Sequence, residues 1–138
     1  MMINSLTMKL IAVLLLTILF SGCAEKTSEN PVEVYQLWTG KKPSAYEKII
    51  HGKYWQSAHW SREYIVYIEM KAPKEWVEKF VEQNELLPDT TDRQISDAPS
   101  WFNPSKDYLV FRRKDDIHSS RYYFNLKDDR IYIFEIQL

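Results

Sequence analysis

Arg121–Leu138 reads RYYFNLKDDRIYIFEIQL, and its patterning decides what kind of fold this chain can make. Tyr122, Phe124 and Leu126 are the apolar positions before the polar Lys127–Arg130 segment, and Tyr132, Phe134, Ile136 and Leu138 repeat the even parity after it. A period of two on both sides of a polar break predicts two strands joined as a hairpin. Turn length then sets the register. A two-residue turn at Asp128 and Asp129 would pair even with odd positions and mix the two apolar sets. A three-residue loop, Lys127 to Asp129, pairs Phe124 with Tyr132 and Tyr122 with Phe134, so that both sets share one face; a one-residue slip would undo this. Aspartate can adopt the left-handed conformation that the third loop residue needs, and the three-residue loop is the expectation.

Upstream, Asp107–Arg113 (DYLVFRR) reads as a further strand, which predicts a C-terminal three-strand antiparallel meander. Tyr64, Val66, Ile68 and Met70 alternate with Glu63, Ile65, Tyr67 and Glu69, so residues 63–70 read as a strand with one well-buried face. Pro73 suits the first position of a helix. Trp76, Val77, Phe80, Val81 and Leu87 then follow a helical stripe interrupted by Asn84, and Pro88 stops it, predicting a helix over 73–87 that covers one face of the sheet. Ser44 and Glu47 have the spacing of a capping box, with Gly52 placed as a left-handed terminator, so a short helix is expected near 44–51. Val32–Trp38 is compatible with a short strand or with extended chain. Residues 88–106 form a long polar loop with an aromatic centre, of a length that in compact domains is often functional or disordered. The expected class is α+β.

The only cysteine lies in LFSGCAEKTSEN, Leu19 to Asn30. Lys9 precedes an almost wholly apolar run, Leu10 to Phe20, which is too short to span a bilayer needing ~20 helical residues and fits the apolar core of a secretory signal. Ser21 and Gly22, both small, lead directly into Cys23. This arrangement resembles the lipobox of bacterial prolipoproteins, with Phe20 where leucine is usual and Leu19 one place earlier. The resemblance covers residues 1–24. It implies a signal peptide over 1–22, a diacylglycerol thioether and an N-acyl chain on Cys23, and a membrane partner through that anchor. Residues 23–31 then read as a lipid-anchored tether and 32–138 as one globular domain. Ala24 after the cysteine implies, for a Gram-negative source, export to the periplasmic face of the outer membrane.

Removing residues 1–22 leaves 116 residues, 17 basic and 19 acidic side chains and a net charge of −2. That length suits one domain with a modest core. The charge balance predicts no nucleic-acid partner, which would call for a basic patch or stripe. A single cysteine cannot form a disulfide within the chain, so packing must supply the stability; five Trp, nine Tyr and six Phe provide the material.

Motifs of catalysis are missing from the sequence: no GxSxG elbow, P-loop or GxGxxG is present. His59 and Glu63 are four apart, but Glu63 opens a strand, and Asp115, Asp116 and His118 read as a solvated turn. No metal, cofactor or catalytic residue is therefore expected. Trp101 and Phe102 lie between Pro99 and Pro104 and can serve either as a core plug or as a partner anchor, since large aromatics dominate interface hot spots. Trp55 and Trp60 divide the same way. Tyr123 and Ile133 are expected on the second sheet face as an apolar patch, with Arg112, Arg113 and Arg121 as solvated neighbours. The expected function is that of an anchored envelope lipoprotein that binds another envelope protein without catalysis, as an immunity or exclusion protector or an accessory subunit. The rival expectation is a hydrolase acting on peptidoglycan or lipid.

Overall fold

The computed structural model describes residues 8, 9, 11, 24–91, 94–116 and 119–138. Cys23, most of the signal segment and His118 lie outside the described residues. The chain is a mixed α+β fold: β1 (Lys26–Ser28), α1 (Pro31–Thr39), β2 (Lys48–Gln56), β3 (Tyr64–Lys71), α2 (Lys74–Gln83), β4 (Leu86–Pro88), β5 (Leu109–Arg113), β6 (Arg121–Asn125) and β7 (Arg130–Gln137). The strands form one sheet in the order β1-β2-β3-β7-β6-β5-β4, with every neighbouring pair antiparallel.

Five expectations are corrected. Val32–Trp38 lies within helix α1, neither strand nor extended chain. Its ends carry ordinary signals: the Glu33 amide donates to Asn30 Oδ1 at 3.0 Å, Pro31 opens the first turn, and Gly40 closes the last at φ 74°. Within the stretch read as tether, Lys26–Ser28 pair with Tyr54–Gln56 as β1.

The helix expected over 44–51 is a turn followed by β2. Half of the capping box forms, with the Ser44 amide donating to Glu47 Oε2 at 2.6 Å, but it closes a turn. The β-branched Ile49 and Ile50 then continue into the sheet, where a bulge lies between Ile49 and His51. Gly52 does not terminate a helix. A Cβ on it would meet Val34 Cβ at 2.8 Å and Cγ1 at 2.9 Å, so the bare glycine is what lets α1 lie down on β2.

Helix α2 ends at Gln83, earlier than expected. Asn84 turns the chain, Glu85 adopts φ 50°, and Leu86–Pro88 become β4 against Phe111–Arg113. Proline at an edge strand costs no ladder hydrogen bond and protects the edge from further pairing.

The β6–β7 register is the fifth correction. Phe124 pairs with Ile131 and Tyr122 with Ile133 across a four-residue connection, Leu126–Asp129. Even and odd positions therefore do pair. The reason is that β7 is buried on both faces. Ile131 and Ile133 join a core with Val66, Ile68, Met70, Tyr122 and Phe124, against Val34, Tyr35 and Trp38 of α1 and Trp76, Val77 and Phe80 of α2. Tyr132 and Phe134 join Tyr67 on the other face, under a cover made by residues 94–108, whose Phe102 is buried with them. An alternation rule works only where one face is wet.

Candidate functional site

Each strand that is apolar on both faces carries one carboxylate. Glu69 of β3 is 3% exposed and Glu135 of β7 is 2% exposed, and a buried carboxylate must be supplied with donors. Glu69 accepts from Tyr132 Oη at 3.2 Å, bonds His51 Nδ1 at 2.7 Å and pairs with the Arg130 guanidinium. Register produces this: His51, Glu69 and Tyr132 are direct neighbours across β2, β3 and β7. Glu135 accepts from Tyr122 Oη at 2.7 Å, from Arg113 Nη2 at 3.1 Å and from the Tyr64 hydroxyl. Burial first, then the adjoining carboxylate, push the Tyr122 and Tyr64 hydroxyls well above the ordinary tyrosine value.

A third carboxylate, Glu47, ties α1 and α2 to the turn before β2. It accepts from Tyr35 Oη at 2.6 Å and Trp76 Nε1 at 2.7 Å. Burial works against its ionisation, but the hydrogen bonds from Tyr35, Ser44 and Trp76 outweigh it and hold the carboxyl below its ordinary value.

The Glu69 group reaches the surface. The His51 side chain is about half exposed (49%), and Trp101 stacks on it with ring centroids 5.1 Å apart and planes 19° from parallel. Beside it, the register sets Lys48, Lys71 and Arg130 in one row across β2, β3 and β7. The outcome is an aromatic platform, the stacked Trp101–His51 pair, with a basic border. Its imidazole is held at the Nδ1 edge by a carboxylate that also engages Arg130 and Tyr132.

The aromatic residues singled out in the sequence divide among different tasks. Phe102 is the plug, standing edge-on to Tyr67, Tyr132 and Tyr123 at centroid distances of 5.3, 5.4 and 6.0 Å. Trp101, next to it, remains half-buried on the platform. Tyr123 lies beneath Phe102, and Ile133 is wholly buried on the helix face, so the two do not form an exposed patch. Trp55 is half-buried at the other end of β2, opposite Thr27 and Ile65. Trp60, in the β2–β3 connection, is 97% exposed. Of the three arginines expected in solvent, Arg113 serves Glu135. Arg121 is buried with its Nε 2.6 Å from Asp89 Oδ2, an ion pair whose N–H is not aligned on the oxygen.

Arg121 also lines two cavities, of about 1010 Å³ and about 530 Å³, which share Gln94 and Ile95 as walls. A smaller apolar groove of about 330 Å³ separates α2 from Leu109, Phe111 and Leu126. Neither His51 nor Glu69 lines any of these three spaces. Among the described residues, no group of three or more His, Cys, Asp or Glu side chains could hold a metal ion, and no helix is long and apolar enough to cross a membrane. His59 and Glu63 sit in the β2–β3 connection, where the helical spacing that would join them does not exist.

Glu69, Glu135 and His51 escaped the sequence reading. A usable signal was present for the first two: a lone glutamate inside the apolar runs YIEMK and IFEIQ. His51 stood in what looked like a helix, so its register with Glu69 was hidden. No protein-family model, no curated protein and no solved structure matches the chain.

Proposed function

We propose that this chain is a lipid-anchored protein of the bacterial envelope, held by acyl chains on Cys23, that acts as a non-catalytic protein-binding module. An immunity or exclusion protector and an accessory subunit of an envelope complex are the two forms this takes. The observation that carries the reading is the Trp101–His51 platform. Stacked rings fixed by a fully engaged buried glutamate form a surface that loses little freedom on binding, and a rigid aromatic at such a surface is the usual centre of an interface. The C-terminal meander, joined through β7 to β3, is the stiff floor of that surface, and the helices on the opposite face leave it free. The basic border suits an acidic patch on the partner protein. Phe102 meets the Trp101 ring edge-on, and Tyr123 in turn packs on Phe102. The test is crosslinking in intact cells with the full chain as bait: a discrete envelope protein captured by the native chain and lost with Trp101→Ala supports the module, and capture unchanged by that substitution overturns the platform as its site.

One observation favours the rival reading, an envelope hydrolase acting on peptidoglycan or lipid. His51 and Glu69 form a histidine–carboxylate pair, the unit that general-base catalysis uses. Release of soluble fragments from purified peptidoglycan or phospholipid vesicles, abolished by His51→Ala, would favour it over the binding module.

A further inference from the structure

We infer that the β2–β3 connection, through Trp60, is a second membrane contact that sets how the anchored domain stands on the bilayer. The inference rests on the proposed lipidation of Cys23 and adds to it an orientation.

Lys26 is the first residue of β1 and pairs with Gln56, the last residue of β2. The strands are antiparallel, so the chain reaches Lys26 from beyond the Gln56 end of the sheet, the end from which the β2–β3 connection also emerges. Only Ala24 and Glu25 separate Cys23 from Lys26. Three residue steps span at most about 10 Å when fully extended. Because the chain joins the fold at Lys26, the tether that the sequence suggests over residues 23–31 shrinks to the anchor residue and two more, Ala24 and Glu25. Acyl chains on Cys23 would therefore bring this end of the sheet to the headgroups.

That end is built for such a place. Residues 57–63 are closed by the Ser57 amide donating to the Glu63 carbonyl at 2.9 Å. Midway between, four residues beyond Gln56, Trp60 is 97% exposed, the most exposed large apolar side chain among the described residues. Single exposed apolar residues are common. An indole held out at the one end of the sheet that a two-residue link ties to the bilayer has a specific use, because tryptophan favours the membrane–water interface. The neighbouring charges are mixed (Glu25, Lys26, Arg62 and Glu63), so the contact draws on the interfacial preference of the ring and not on anionic lipid alone.

Two points of attachment fix an orientation where one would leave a swivel. Lys48, Lys71 and Arg130 lie at the opposite end of β2, β3 and β7. With eight residues in β3 and ~3.3 Å per residue, that basic row stands about 25 Å from the hairpin end. The Trp101–His51 platform is thereby carried away from the lipid, toward a partner.

The experiment uses the full chain, matured in cells supplied with labelled fatty acid and reconstituted in phosphatidylcholine–phosphatidylglycerol vesicles brominated at shallow acyl positions. Label on Cys23, with a bromine-dependent loss of tryptophan emission that disappears in Trp60→Ser, is the expected result. The exposed position of Trp60 means this variant keeps the native thermal midpoint, which serves as the folding control. Label present and quenching unchanged by Trp60→Ser overturns the hairpin contact and leaves the anchor standing. No label on the native chain overturns the anchor, and with it the reason for placing the hairpin at the bilayer.

Discussion

Trp101 lies on the face of His51 with ring planes 19° from parallel, and the Nδ1 edge of the imidazole is held by Glu69 at 2.7 Å. The exposed ring therefore depends on a buried carboxylate. Glu69→Ala leaves Arg130 and the Tyr132 hydroxyl without their acceptor. Loss of hydrogen bonds to a charged group should cost about 2 kcal/mol of folding stability, softened by the partial exposure of His51 and Arg130. Trp101→Ala should weaken partner capture about tenfold or more while changing stability less than Glu69→Ala. Denaturant titration beside quantitative crosslinking separates the two effects.

Gly52 and Val34 show how close α1 comes to β2. Gly52→Ala should destabilise the fold by about 1–3 kcal/mol, because the new methyl overlaps Val34 in a packed core. Val34→Ala in the same chain should restore only part of this, since the Val34 Cβ is itself 2.8 Å from the added atom. A double-mutant cycle of unfolding free energies measures the coupling.

The pH dependence has two limbs with opposite signs. Asp89 is opposed by burial, but its hydrogen bonds with Thr91 and the charges of Arg121 and Arg112 hold it below its ordinary value of 3.8. Glu47 is likewise held below 4.5. Groups with depressed native values stabilise the fold above their unfolded values, and that stability is lost as the pH falls below about 4 toward the native values. Tyr35, Tyr64 and Tyr122 are raised above 10.0, chiefly by burial. Their contribution is complete below pH 10 and is lost above it, as the unfolded chain ionises first. Urea titrations across the pH range should show both limbs, and Tyr122→Phe should shallow the alkaline one.

Asp129 closes the β6–β7 connection at φ 57°, and its carbonyl accepts from the Ala72 amide at 3.1 Å. Glycine takes this conformation without steric cost. Asp129→Gly should therefore raise stability by a few tenths to about 1 kcal/mol, whereas Asp129→Val should lower it by about 1–2 kcal/mol. Thermal unfolding of the pair decides the sign.

Glu135 gathers Tyr64, Tyr122 and Arg113 into one group across β3, β5, β6 and β7. Glu135→Ala should cost about 3 kcal/mol, because the buried Tyr122 hydroxyl and the Arg113 charge lose their acceptor together. Tyr122→Phe should cost about 1 kcal/mol, the scale of one hydrogen bond. Unfolding free energies for both variants test whether the carboxylate, and not a single donor, holds the group.

Local chemistry determined much of this protein. Alternation in residues 63–70 and 121–138 and the stripe from Trp76 to Val81 establish strands and a helix, and hence the α+β class, because a residue's periodicity depends only on its near neighbours. The proposed anchor at Cys23 is equally a matter of adjacent residues. Tertiary structure decided the rest. Ile49 and Ile50 follow a capping box, yet they enter a strand because β3 offers Ile49 and His51 their partners, with Ile50 bulged between them. Val32–Trp38 is helical although its residues also suit a strand, because its apolar face has a sheet to cover. The β6–β7 register follows from burial of both faces of β7, which depends on a segment twenty and more residues upstream folding back over Tyr132 and Phe134. The His51–Glu69–Arg130 group joins the adjacent strands β2 and β3 to β7, sixty-one residues beyond Glu69, so no local pattern could announce the whole of it. Which side chains share a face is local information; which faces stay wet is decided only when distant segments meet.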